Sequence, residues 1–171
     1  GCKMRASVLL LGPLLARTGN ANLPYPGGCV LGARPIDTHV EVLRQLGVRE
    51  IKTKNQDEIS FEGRPKSGDI TMPEFSVTAT ENAVMAAALN QKQITIRLAA
   101  FEPHVQDLCR FLVKLGVRIE GIGTHVLKIR GRKKLHGADY KITPDYLEAG
   151  TFVLAALVTG GDVTVKNVIH S

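Results

Sequence analysis

Two stretches of this chain are copies of each other, and that repetition limits the possible fold more than any other feature. Residues 37–51 contain V-E-V-L-R-Q-L-G-V-R-E-I, and residues 104–119 contain L-C-R-F-L-V-K-L-G-V-R-I. The shared endings, Leu46-Gly47-Val48 and Leu115-Gly116-Val117, lie about seventy residues apart, too far for a stacked solenoid. Each copy reads as a helix stopped by glycine, which takes the left-handed cap conformation without steric penalty. Leu108, Phe111, Leu112 and Leu115 follow the i, i+3, i+4, i+7 spacing of a buried helix face. An alternating stretch follows each helix: 51–63, with Ile59 and Phe61 on one face, and 119–131, with Val126, Leu127 and Ile129. Both read as β-hairpins, with turns at 54–57 and 121–124.

A second kind of helix, rich in Ala and Leu, is expected over 6–16, 81–89 and 148–158. Each runs through a polar turn into a short strand, at 22–23, 93–96 and 162–165. The repeated unit is therefore helix, strand, helix, hairpin, an α/β arrangement. The third copy stops at Ser171 before its second helix, and Gly1-Cys2-Lys3 lies directly against a helix, so the chain is expected to be cut from something longer. Lys3 and Arg5 ahead of the apolar 8–16 run imitate a signal peptide, but the fit of that run to the repeat favours a core helix. Nothing else approaches membrane-spanning length.

Lys and Arg outnumber Asp and Glu by 22 to 16, which favours anionic partners, although a solvated basic surface explains the same excess. The run 128–134 is basic without interleaved aromatics, so it reads as a solvated turn rather than a nucleic-acid patch. Cys2, Cys29 and Cys109 are odd in number and unevenly spaced, giving neither a disulfide framework nor a metal site. A reducing compartment fits such a chain.

The stretch Pro26-Gly27-Gly28-Cys29-Val30-Leu31-Gly32-Ala33-Arg34-Pro35 carries the chemistry. Its three glycines permit unusual backbone angles around a cysteine, and an arginine follows five positions on. A helix starts just after, with Thr38 and Glu41 spaced as a capping box and Asp37 as another possible cap. A helix N-terminus beside Arg34 suits a phosphate, and both would favour a thiolate at Cys29. A cysteine-phosphatase loop would need five residues between Cys and Arg; here there are four.

The motif P-G-G-C-x-x-G-A-R-P-x-D-x-H, residues 26–39, resembles the catalytic loop of the enolpyruvyl transferases, in the branch that acts on UDP-N-acetylglucosamine at the start of peptidoglycan synthesis. Met4-Arg5-Ala6-Ser7 with Leu11-Gly12-Pro13-Leu14 is similar to that family's preceding helix. Ser76-Val77, Glu102-Pro103, Pro144-Asp145 and Glu148-x-Gly150-Thr151-Phe152 also fall at family spacing. Glu74 stands where many members carry a basic residue.

The resemblance implies an inside-out α/β barrel built from the repeated units and incomplete here, with no cofactor and no metal. It implies that Cys29 protonates phosphoenolpyruvate as the 3-hydroxyl of UDP-N-acetylglucosamine adds. Arg5, Arg34, Pro35, Ile36, Asp37, Thr38, His39, Ser76 and Val77 would bind substrate. Residues 1–144 would belong to the domain carrying the cysteine loop and 145–171 would open a second domain. The remainder of the same polypeptide would be needed to complete the site, so this piece alone is expected to be inactive. A cytoplasmic protein binding neither nucleic acid nor membrane is expected. The rival reading is a non-catalytic α/β module that binds a nucleotide or RNA through its basic surface.

Overall fold

The computed structural model describes residues 4–27, 35–53 and 57–168. These fall into two units, Gly1–Asp139 and Tyr140–Ser171.

In the first unit the two copied helices, α2 (Asp37–Gln45) and α4 (Pro103–Lys114), end in the same hydrogen-bond pattern. Gly47, at φ 75°, donates to the Arg44 carbonyl at 2.8 Å, and Val48 donates to Leu43 at 3.0 Å. Gly116, at φ 103°, donates to Val113 at 2.9 Å, and Val117 to Leu112 at 3.0 Å. This pairing is the Schellman motif, and only glycine enters it without a Cβ penalty. The likeness continues beyond the cap: the Leu46 carbonyl accepts the Lys66 amide at 2.8 Å, and the Leu115 carbonyl accepts that of His136 at 3.2 Å.

Both expected hairpins form. Strands β2 (Arg49–Ile51) and β3 (Glu58–Glu62) pair antiparallel, as do β6 (Arg118–Glu120) and β7 (Val126–Arg130). Residues 54–56 of the first turn lie outside the described residues. In the second turn Thr124 donates its amide to Gly121 at 3.0 Å. Strand β1 (Asn20–Pro24) adds to β3, and β5 (Ile94–Arg97) adds to β7, so each of the first two copies of the repeat joins its strand to its own hairpin. The alternation works as expected: Ile59, Phe61, Leu127 and Ile129 are buried.

One strand was not expected from the sequence. Strand β4 (Gly68–Thr71) runs parallel to β5 and gives the orders β1-β3-β2 and β4-β5-β7-β6. Its outer edge is partly covered by Gln45, whose side chain both accepts from the Thr71 amide at 2.9 Å and donates to its carbonyl at 3.1 Å. Among the described residues neither sheet closes into a barrel.

The helix expected over 6–16 is split into a 3-10 helix, Arg5–Leu10, and α1, Leu11–Thr18. The cause is a side chain from elsewhere. The α-helical bond from the Gly12 amide to the Val8 carbonyl is replaced by the Asn82 carboxamide, which accepts from Gly12 at 2.8 Å and donates to Val8 at 2.9 Å. Asn82 belongs to α3 (Val77–Ala87), whose Ala79, Ala83, Val84, Ala86 and Ala87 are all buried. A helix buried over most of its surface belongs in the middle of a domain, and α3 packs against α1, α2, α4 and β7. Its small residues let α1 approach closely: a Cβ on Gly12 would lie 2.3 Å from the Asn82 carbonyl oxygen.

In the second unit α5 (Tyr146–Thr159) is capped by Asp145, which accepts from the amides of Leu147 at 2.8 Å and Glu148 at 3.3 Å. The strand expected at 162–165 does not form. In the first unit the equivalent strands β1 and β5 each exist by pairing with a hairpin, and residues 162–165 meet none among the described residues. No helix among the described residues is long and apolar enough to cross a membrane.

Candidate functional site

The sequence-derived candidates that lie among the described residues gather where the first turns of α2 and α3 meet. Ser76 caps α3, its hydroxyl accepting from the Ala79 amide at 3.4 Å, and Val77 opens that helix. Thr38, in the first turn of α2, donates its hydroxyl to Glu74 Oε1 at 2.5 Å, just ahead of Ser76. Beneath this bridge the His39 ring lies between the same two turns, with Nε2 3.1 Å from Thr78 Oγ1 and Nδ1 2.9 Å from Asn82 Nδ2.

The capping box expected from Thr38 and Glu41 is not made. The cap position is Ile36, and among the described residues no side chain caps the turn. Thr38 is taken by Glu74, while Glu41 accepts from Arg44 at 3.0 Å and Gln45 at 3.2 Å. Asp37 stands exposed in the first turn, where its charge suits the positive end of the helix dipole.

Arg5 reaches the same region from the 3-10 helix. Its guanidinium donates to the Pro35 carbonyl at 2.9 Å and, more weakly, to the Pro26 carbonyl at 3.5 Å. Pro35 is exposed, whereas the Ile36 side chain is 4% exposed and belongs to the core with Val8, Leu43 and Phe61. Ile36 therefore presents almost no surface of its own. Cys29 and Arg34 lie outside the described residues.

His39 is also a core residue, 4% exposed. Burial, helped by the nearby Arg5 guanidinium, lowers its pKa to about 4. The ring is neutral at pH 7, as an Nδ1 that accepts from an amide requires. Asn82 and Thr78 were missed as candidates. The available signal was an asparagine directly ahead of an apolar, alanine-rich run, Ala83-Val84-Met85-Ala86-Ala87-Ala88.

Other features lie elsewhere. Cys109 is buried and free, and burial first, with Glu81 adding and Arg110 opposing, pushes its thiol up to about 11. A cleft of about 270 Å³ lined by Ala16, Arg64, Pro65, Ala86, Leu89 and Asn90 sits at the end of α3 opposite Ser76. No cluster of metal-binding side chains occurs among the described residues.

Residues 2–171 match the family described as EPSP synthase (3-phosphoshikimate 1-carboxyvinyltransferase). A UDP-N-acetylglucosamine 1-carboxyvinyltransferase of Treponema denticola is 50% identical over 167 residues, 97% of this chain and 38% of the relative. One from Granulibacter bethesdensis is 47% identical over 96% of this chain and 39% of the relative. The chain thus spans about two fifths of the length of these relatives. Among solved structures, the enolpyruvyl transferase NikO from Streptomyces tendae superposes with a TM-score of 0.73 at 25% identity, over 90% of this chain and 36% of that one. An EPSP synthase from Acinetobacter baumannii shares the fold, with a TM-score of 0.66 at 20% identity over 89% of this chain and 34% of that one.

Proposed function

The chain belongs to the EPSP synthase family, and from that premise we propose that it is the part of a UDP-N-acetylglucosamine enolpyruvyl transferase that carries the proton-donating cysteine and one wall of the nucleotide-sugar site. The observation that carries this reading is the convergence of Arg5, Pro35–His39 and Ser76-Val77 on one pair of helix starts, in a chain 47–50% identical to enzymes of that name.

Among the described residues no side chain caps the α2 first turn, and a helix N-terminus offers amides suited to an anionic ligand. Asp37 and Glu74 place two carboxylates at the same edge. A diphosphate there needs cationic help, and Arg34, one residue before Pro35, is the nearest candidate in sequence. Pro35 to Thr38 would then wrap the nucleotide, with Ser76 and Val77 facing its uridine side.

In the reaction, the Cys29 thiol gives its proton to the methylene carbon of phosphoenolpyruvate, and the sugar 3-hydroxyl oxygen, its proton passing to a base from the remainder of the polypeptide, bonds to the neighbouring carbon. Loss of phosphate and of one proton from the former methylene restores the double bond and leaves the enolpyruvyl ether. A soft thiol serves as acid because its conjugate thiolate is stable beside cationic groups. The phosphate-binding groups and base that complete the reaction would come from the remainder of the polypeptide, so residues 1–171 alone should bind but not turn over. The product would feed peptidoglycan synthesis, in the cytoplasm. Pro144-Asp145 would mark the crossing into a second domain.

The test is alkylation by an epoxide phosphonate of the fosfomycin type, mapped by peptide mass spectrometry. The expected result is labelling of Cys29 well ahead of Cys2 and Cys109, accelerated by UDP-N-acetylglucosamine. Equal labelling of Cys2 and Cys29, unaffected by the nucleotide sugar, would overturn the reading.

A further inference from the structure

A primary carboxamide has one acceptor oxygen and two donor hydrogens. In Asn82, 1% exposed, all three are used, and by three different parts of the chain. Oδ1 accepts the Gly12 amide at 2.8 Å; Nδ2 donates to the Val8 carbonyl at 2.9 Å and lies 2.9 Å from His39 Nδ1. The amide cannot be turned around. Gly12 offers only a donor and Val8 only an acceptor, so Nδ2 must face His39 and His39 Nδ1 must accept.

A neutral imidazole that accepts at Nδ1 carries its hydrogen at Nε2. That nitrogen is 3.1 Å from Thr78 Oγ1, to which it donates. His39 is the third residue of α2 and Thr78 the second of α3. The ring therefore joins the first turns of the two helices from below, while the Thr38–Glu74 bond joins them at the surface. Both links depend on α2 and α3 keeping one relative position along their axes.

We propose that Asn82 is a positioning residue: it fixes His39 as the Nε2–H tautomer and thereby holds the first turns of α2 and α3 in register. Its consequence for ligands rests on the function proposed above. His39 then shapes the nucleotide-sugar wall from inside the core rather than touching the ligand. An apolar side chain could fill the same space, but it would neither break the Gly12–Val8 helical bond nor orient a ring.

Asn82→Asp is the informative variant, because it keeps the acceptor for Gly12 and replaces the donor facing Val8 and His39 with an acceptor. Imidazole nitrogen NMR of the 171-residue chain should show an unprotonated Nδ1 in the parent and a protonated Nδ1 in Asn82→Asp. The amide resonances of Thr38, His39, Val77 and Thr78 should move together, while those of α4 stay in place. Thr78→Val, at an exposed position, is the second variant should Asn82→Asp fail to fold. It should leave Nδ1 unprotonated yet shift the amides of Thr38 and His39 on the facing α2 turn. Titration with UDP-N-acetylglucosamine should show binding weakened on the order of tenfold in Asn82→Asp, the scale of one unsatisfied buried partner.

A protonated Nδ1 in the parent chain overturns the proposal. So do α2 first-turn amides that ignore Thr78→Val, or unchanged binding in a folded Asn82→Asp whose tautomer has switched. If the parent chain itself fails to bind the nucleotide sugar, the functional reading fails instead, and the tautomer and amide shifts still decide the positioning role.

Discussion

The Arg5 guanidinium donates to the Pro35 carbonyl at 2.9 Å, joining residues thirty positions apart. Its second reach, to Pro26 at 3.5 Å, places one side chain between the two prolines that flank 27–34. Arg5→Ala removes a charge-assisted bond at a half-exposed position, so a loss of about 1 kcal/mol is expected in urea unfolding. Arg5→Lys keeps the charge but not the fork, and should recover less than half of that loss. Full recovery by lysine would assign the effect to charge rather than to the paired carbonyl contact.

The repeat was legible because its signals are local. Gly47 and Gly116 each stop a helix with hydrogen bonds that span five residues, and the alternation in β3 and β7 needs only a core on one side. What could not be read depends on residues far apart in sequence. The break between the 3-10 helix and α1 is made by Asn82, seventy residues on. Strand β4 offers a single buried residue within its bounds, Ile70, and exists by pairing with β5. Residues 162–165 have strand-like composition but meet no partner among the described residues.

The candidate site divides in the same way. Sequence resemblance brought Arg5, Pro35–His39 and Ser76-Val77 together, and in the fold they share one corner. It did not separate surface groups from core groups inside that set. Ile36 and His39 point inward because the helix period puts them on the face that also carries Leu43 and, at its far side, Val42. Thr38 looked like a helix cap by spacing, but Glu74 captures its hydroxyl.

Buried neutral His39 makes stability depend on pH with a definite sign. Its folded pKa, about 4, lies below the ordinary value of 6.5, so the unfolded chain binds the extra proton first. The contribution is fully present above pH 6.5 and is lost as pH falls toward 4. By pH 5 the loss should be on the order of 2 kcal/mol. The groups facing the ring are the Asn82 amide, the Thr78 hydroxyl and, by charge, Arg5. His39→Gln should flatten this part of the profile, read as urea midpoints between pH 7 and 5. A profile that keeps its slope in His39→Gln would place the acid sensitivity elsewhere.

Cys109 should be silent toward alkylation. Its thiol is 1% exposed and pushed up to about 11, so almost no thiolate exists at pH 8 and little reagent can reach it. Iodoacetamide should modify Cys109 only after denaturant is added, giving an internal reference for the labelling of Cys29. Rapid modification in native buffer would mean that α4 opens on the timescale of the reaction.

The two glycine stops permit a matched comparison. At Gly47 the backbone, φ 75°, is near the left-handed well that other residues can enter, and an added Cβ would meet only the flexible end of Lys66, 2.9 Å away. Gly47→Ala should cost about 1–2 kcal/mol, the usual penalty for an L-residue in that well. At Gly116 φ is 103°, beyond the well, and the added carbon would lie 3.1 Å from the His136 ring. Gly116→Ala should therefore cost more than Gly47→Ala, although both helices end in the same bonds. Urea unfolding of the two variants measures the difference directly. Equal losses would show that the α4 cap relaxes into the left-handed well when a side chain is added.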